Sequence, residues 1–401
     1  MFAHQMPPQH AKPKRTLGWM GIHRGHQARP VERLAEWLIF GVSFSTIAIV
    51  FLIFIFVGKE ALPVVFGRDD SALIKDVLPS TDVDKIPAEK LRAYLDLTPA
   101  QFKEMDKETL VSLMQIREEA LAEIPANVRS DQDARINTTE WRYLVKPHQW
   151  TGYDKPEYIW QPVGNIHKYN VVPLIVGSLK TTIIGLLFAV PLALGAAIYV
   201  SQLAKPRTKE WVKPGIELLS GIPSVVMGTF ALIVLASFLQ KLFGYEVRLN
   251  AFVAGIALGL AVIPLVFSIA EDALTSVPRS YTQAALALGA SKWQAAYQVV
   301  LPSALPGVFA AVVLGFGRAI GETMIVLLVC SASVMSWNIF DSARSITTTI
   351  AAEMAEAVSG GPHYRILFLL GAMLFAVTFI TNFIGDVVIH HFKAKLEGKR
   401  G

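Results

Sequence analysis

Charge is scarce in this sequence. Of its 401 residues only 17% are Asp, Glu, Lys or Arg, against roughly 25% in an average soluble domain, while 53% are hydrophobic and the mean hydropathy is +0.43. That balance argues against a cytosolic enzyme. Cysteine is scarcer still: Cys330 stands alone, so an internal disulfide and any CxxC metal or redox site are excluded, and a small apolar filler is the role left to it. No GxxxxGK[ST] phosphate loop, HExxH or GxSxG occurs, so ATP hydrolysis, zinc proteolysis and serine hydrolysis have no motif to rest on. Any energy input must come from a partner. The net charge of +5 is a mild excess, 37 basic against 32 acidic residues, which the loop bias of a membrane protein explains without nucleic acid. An internal repeat is also missing, which disfavours a standalone secondary transporter.

Long apolar runs, in contrast, are plentiful. Trp37 to Val57 is 21 residues without a charge, which at about 1.5 Å per residue crosses a hydrocarbon core of roughly 30 Å. The flanking Val57-Gly58-Lys59-Glu60 offers no signal-peptide cleavage site, so this span is expected to be retained. Further spans are expected near 172–200, 216–240, 250–270, 304–330 and 366–389. The prediction is an all-α polytopic membrane protein of six helices. Its parts are a basic tail (1–34), a first span (35–57), an insert (58–170), a five-helix core (171–392) with a loop at 278–302, and a short tail (393–401). The two tails and the loops holding Lys205 to Lys213 and Arg279 to Lys292 carry sixteen Lys and Arg. The alternate short loops hold only Lys241, Arg248, Arg344 and Arg365, which places both termini in the cytoplasm.

The insert, with 15 basic and 19 acidic residues between Gly58 and Asn170, reads as a small helical extramembrane region outside the cell. Thr98-Pro99-Ala100-Gln101 is a helix start, and a second helix is expected after Asp106 with Leu110, Leu113, Met114, Leu121 and Ile124 on one stripe. A spacer or scaffold and a docking surface are both compatible with it. Near the other end of the chain Ile346, Ile350 and Met354 predict an amphipathic helix, ended by Gly360-Gly361-Pro362. It could plug the mouth of a path, receive a binding protein or rest on the membrane surface.

Two segments carry chemistry. The loop from Tyr281 to Pro302 reads as a short helix, a turn permitted by Gly289 and a second helix that Pro302 stops, with Ala284, Ala285 and Ala290 leaving room for close approach. A helix seated in a partner's groove and an amphipathic connector lying on headgroups both fit. In the fifth span, Arg318 and Glu322 sit in apolar surroundings where each charge costs roughly 2.5–3.5 kcal/mol on insertion scales. At i and i+4 they would share one face and pair, either as a lock between spans or as part of a path in which the guanidinium meets an oxyanion. Gly221-Ile222-Pro223-Ser224 is expected to break the third span, making Ser224, with Thr323, a second-rank path candidate. Lys180, Asn382 and Asp386 are polar within or near spans and are set aside.

The loop closely resembles the EAA loop of ABC importer permeases: Gln283, Ala284, Ala285, Gly289, Val299, Leu301 and Pro302 fill its spacing, with Gln283 in place of the usual Glu. Glu217-Leu-Leu-Ser-Gly-Ile-Pro-Ser-Val-Val226 and Gly317-Arg-Ala-Ile-Gly-Glu-Thr-Met324 resemble signatures of phosphate-specific (Pst) permeases, the second pointing to the C-type subunit. The resemblance implies a type I ABC importer permease fold in a bacterial inner membrane and a role in high-affinity phosphate import. It implies Arg318 and Glu322 as residues important for transport, and a loop that docks on an ATP-binding subunit. It also implies a second, A-type permease, a dimer of ATP-binding subunits holding ATP and Mg, and a periplasmic phosphate-binding protein. The chain itself would be no enzyme and hold no cofactor or metal. Another oxyanion, sulfate or molybdate, is the alternative cargo. A membrane receptor or sensor is a third reading, against which stands the lack of any cytoplasmic segment long enough to be an effector.

Overall fold

A computed structural model describes residues 30–67, 72, 86–95, 97, 99–123, 132–164, 166–330 and 335–396. The expected basic tail up to residue 29 and the last five residues lie outside this set. The chain divides into two units, 1–56 and 57–401. The described part of the first is the body of α1 (Pro30–Val65), which is helical from Pro30 and therefore takes in the last residues assigned to the tail. It is apolar on every face, as suits a helix surrounded by hydrocarbon.

The second unit begins with the insert. Short helices α2 (Ala88–Tyr94), α3 (Pro99–Glu104) and α4 (Lys107–Glu123) form a satellite core of Leu91, Tyr94, Leu110 and Met114. Pro99 opens α3 and a second helix follows Asp106, as the sequence predicts; the Asp106 carboxylate caps α4 by accepting from the Thr109 N–H at 3.0 Å. Of the expected stripe, Ile124 and the side chain of Leu121 lie outside the described residues. The rest of the insert departs from a helical subdomain. Short α5 (Trp141–Val145) and an antiparallel pair, β1 (Trp160–Gln161) with β2 (Lys168–Tyr169), join the membrane core directly. Leu144, Trp160 and Tyr169 share one buried cluster with Leu174, Ile346, Ile366 and Leu370.

Five more helices are long and apolar enough to cross a membrane: α6 (Val172–Leu203), α8 (Ser224–Phe243), α9 (Ala251–Thr275), α11 (Lys292–Ile320) and α14, helical from Pro362 to Leu396. With α1 they make the expected six. Between them lie α7 (Pro206–Leu218), α10 (Arg279–Ala287), α12 (Met324–Val329) and α13 (Ile346–Glu353). The centre is the α6–α9 pair, where Ala189, Ala193 and Ala197, one turn apart and fully buried, share a cluster with Leu258, Val262 and Val266. Small residues let two helices approach closely where lipid gives no hydrophobic drive to associate.

Several span boundaries differ from expectation. The first span runs on to Val65 rather than ending at 57, so the insert begins later than expected. The third span begins at Ser224, not 216: α7 is a separate polar helix, Ile222 before Pro223 is extended (φ −75°, ψ 123°), and the break falls ahead of the span. The fifth begins at Lys292 and ends at Ile320. Pro302 does not stop the preceding segment. A π-turn at Ala296–Val300 lets the Leu301 N–H bond the Ala296 carbonyl five residues back, so the proline, which has no N–H, opens a fresh α-segment. Similar π-turns occur at Tyr199–Leu203 and Ala231–Leu235.

Candidate functional site

The loop between α9 and α11 is held by its own backbone. Helix α10 closes when the Gly289 N–H bonds Leu286 O and the Ala290 N–H bonds Ala285 O, with Gly289 at φ +87°, a conformation that disfavours any side chain. Ser291 then caps α11: its hydroxyl accepts from the Gln294 N–H at 3.2 Å while the Gln294 side chain accepts from the Ser291 N–H at 2.8 Å. Ala285 is the single buried residue of α10, and Ala295, Ala296 and Val300 anchor the start of α11. Much of the rest faces out: Gln283, Ala284, Gly289 and Pro302 are exposed, Val299 and Leu301 are half-buried, and Leu288 is 90% exposed. Tyr281, Trp293 and Tyr297 add aromatic surface, the last two stacked at 6.2 Å. An exposed apolar patch on a rigid, self-capped turn is a surface suited to a protein partner. Beside it Lys213 of α7 reaches Glu271 of α9 at 2.6 Å and Asp272 at 3.3 Å. The Glu271 hydrogen bond raises Lys213 above the usual lysine value, against the opposing pull of burial.

At the other end of α11 the helix stops. Gly321, Glu322 and Thr323 separate Ile320 from the half-helix α12, so Arg318 lies in the last turn and Glu322 in the break. The predicted shared face does not exist. Arg318 is exposed, and no ion pair between it and Glu322 forms among the described residues. A cation in the last turn is instead favoured by the helix dipole. The Glu322 carboxylate accepts from the Thr323 N–H at 3.2 Å, and the Glu322 carbonyl, freed by the break, accepts from the Thr347 hydroxyl of α13 at 3.0 Å. Half-helix α12 packs against α8. A Cβ on Gly228 would lie 3.2 Å from the Met324 carbonyl oxygen, and half-buried Ser224 heads α8 one turn earlier. Glu322, Thr323 and the start of α12 are thus brought to one place with α8, while Arg318 makes no ion pair with Glu322 among the described residues.

Helix α13 lies over this break. Its predicted stripe faces inward, Ile346 buried and Ile350 and Met354 packed on the same cluster as Tyr169 and Leu174, so its apolar face is spent on the fold and not on lipid. Glu353 at its end receives Arg344 at 3.0 Å, the Trp160 indole N–H at 3.2 Å and His363 at 3.6 Å. Burial raises Glu353 above the usual carboxylate range, opposed by Arg344 and Trp160. Lys180, set aside in the sequence, donates to the carbonyls of Ser336 and Asn338 at 3.0 Å each. Neither grouping is legible in the sequence, because Trp160 lies 193 positions from Glu353 and Lys180 lies 156 and 158 positions from the carbonyls it meets.

Comparison with known proteins places this geometry. Residues 171–398 match the family described as binding-protein-dependent transport system inner membrane component. A probable ABC transporter permease, YqgH of Bacillus subtilis, is 36% identical over 222 residues, 55% of this chain and 72% of that relative. The phosphate transport system permease protein PstC of Mesorhizobium japonicum is 33% identical over 256 residues (59% and 77%), and PstC of Pasteurella multocida 31% over 261 (60% and 80%). Among solved structures, inward-facing conformations of the MetNI methionine ABC transporter are 18% identical with a TM-score of 0.42, over 55% of this chain and 94% of that one. The matched stretch is more than half the chain and takes in the loop, the break and five of the six spans, so this multi-pass membrane protein belongs to the binding-protein-dependent transport permeases, among the relatives of the PstC phosphate permeases.

Proposed function

We propose that this chain is a permease subunit of an ATP-driven, high-affinity inorganic phosphate importer, forming the path with a second, A-type permease. The observation that carries the reading is the exposed Arg318, in no ion pair among the described residues, beside a helix break within a chain related to phosphate permeases. A guanidinium fork donates two parallel hydrogen bonds to a phosphate oxyanion, and Thr323 and Ser224 offer hydroxyls at the break and at the head of α8. Glu322, one negative charge near the same region, would keep the anion from binding too tightly to leave. The 281–302 loop, through Gln283, Ala284, Ala285, Gly289, Leu301 and Pro302, docks on a dimer of ATP-binding subunits. ATP and Mg belong to those partners, and a periplasmic phosphate-binding protein delivers the anion to the insert side. Both termini are cytoplasmic, in a bacterial inner membrane, as the basic loops support.

Radiolabelled phosphate uptake in cells lacking the chain, with and without its restoration, tests this. Restored uptake that excess sulfate and molybdate leave intact is the expected result. A chain that reaches the membrane and co-purifies with an ATPase but restores no phosphate uptake overturns phosphate as cargo.

A further inference from the structure

A break in a membrane helix frees backbone carbonyls that water cannot satisfy, and here one of them is claimed from a distant part of the chain. The Thr347 hydroxyl, buried at 7% exposure, donates to Glu322 O at 3.0 Å. Thr347 cannot easily shift, because α13 is fixed at both ends. At its start the Ile346 N–H donates to Ser178 Oγ on α6 at 2.9 Å, and the Arg344 backbone lies so close to α6 that a Cβ on Gly177 would meet Arg344 O at 2.2 Å. At its far end Glu353 gathers Arg344, Trp160 of the insert and His363 of α14.

We propose that Thr347 is a positioning residue for the Glu322 break, and that α13 is the strut through which the Glu353 latch on the insert face holds that break in one geometry. The proposal rests on the transport reading for its consequence but not for its geometry. Thr347→Val keeps the shape and removes the donor; Thr347→Ser keeps the donor. Glu353→Gln loosens the latch at a distance from the break.

The test uses the full transporter reconstituted with its partner subunits and binding protein. For the geometry, Gly321→Cys is added in a Cys330→Ala background, which removes the one native thiol, and its rate of labelling by a small maleimide is measured. Gly321 is exposed, and a Cβ added there lies no closer than 3.5 Å to the Gly317 carbonyl oxygen. Labelling should rise several-fold with Thr347→Val, return to the starting rate with Thr347→Ser, and rise less with Glu353→Gln. For the consequence, Thr347→Val should lower maximal phosphate uptake roughly tenfold, as displacement of a positioned group does. The binding-protein concentration giving half-maximal uptake should not change, and the serine variant should restore the rate. Unchanged labelling in an assembled Thr347→Val complex overturns the proposal. Altered labelling in a transporter that carries no phosphate, even without substitution, would sink the cargo assignment and leave the strut standing.

Discussion

The two ends of α11 are built on opposite plans. At one end the 279–295 loop is closed by bonds between near neighbours, and its apolar side chains Tyr281, Leu288 and Trp293 face outward. At the other, α13 is held by bonds to α6, to the break, to the insert and to α14, and its apolar side chains face inward. A loop that satisfies itself locally can move as a body and offer its surface to a partner. One that is tied to four elements can only hold them in register. Under the proposed transport function, the first would take in motion from a partner and the second would hold the path fixed.

The contrast is tested most severely at Gly177. Gly177→Ala forces a Cβ against the Arg344 carbonyl, and overpacking of this kind costs about 1–3 kcal/mol; the melting temperature of the purified chain should fall by about 5 °C. An unchanged melting temperature would mean that α13 yields, and the rigid half of the contrast would fail. Leu288 is 90% exposed, so in Leu288→Glu melting should stay constant while co-purification of the ATP-binding subunit drops about tenfold, or some 1.4 kcal/mol. Undiminished co-purification would remove Leu288 from the docking surface.

Ser291→Ala should cost about 1 kcal/mol, confined to the loop. Amide exchange over 291–296 should quicken while 345–353 stays protected; faster exchange at both would show that the two ends are not independent. The smallest effect concerns Lys213. Its value is raised in the fold, so the bond to Glu271 stabilises fully below the ordinary lysine value of 10.5 and is lost as pH rises through the folded value. Because Lys213 is about a third exposed the contribution is under about 1 kcal/mol. Melting should be flat from neutral pH to about pH 10 and then dip, and Lys213→Met should abolish the dip; a dip that persists in that variant assigns it to another group.

The sequence foretold the self-contained end better than the tied one, and for a physical reason. Gly289 announced its turn, because the conformation it supplies is local, while the equally local Ser291–Gln294 cap emerges only in the structure. Six spans were likewise legible as apolar runs, with the α6 boundaries and the start of α9 close to those observed and the end of α1 placed too early. What failed depended on helix continuity. A regular spacing of four puts Arg318 and Glu322 on one face only if the helix persists, and Gly321 ends it. Pro302 was expected to end a helix that a π-turn carries past it. The inward stripe of α13 was visible as Ile346, Ile350 and Met354, but what it would face was not, since Tyr169 and Leu174 come to it from across the fold. Thr347 and Glu353 gave no signal at all.

The π-turn at 296–300 also divides α11 by its tolerance to changes of length. Such a turn carries one residue more than an α-turn and absorbs it as a bulge, so deleting a residue within 296–300 should yield a plain α-helix whose two ends keep their orientation, with Arg318 pointing where it points now. The same deletion a few turns later, at Val312, would swing everything beyond it by about 100° about the axis. Arg318 would then sit on another side of the helix, with every neighbouring residue of the span unchanged in chemistry. The bulge marks where evolution could add to this span without readdressing its charge.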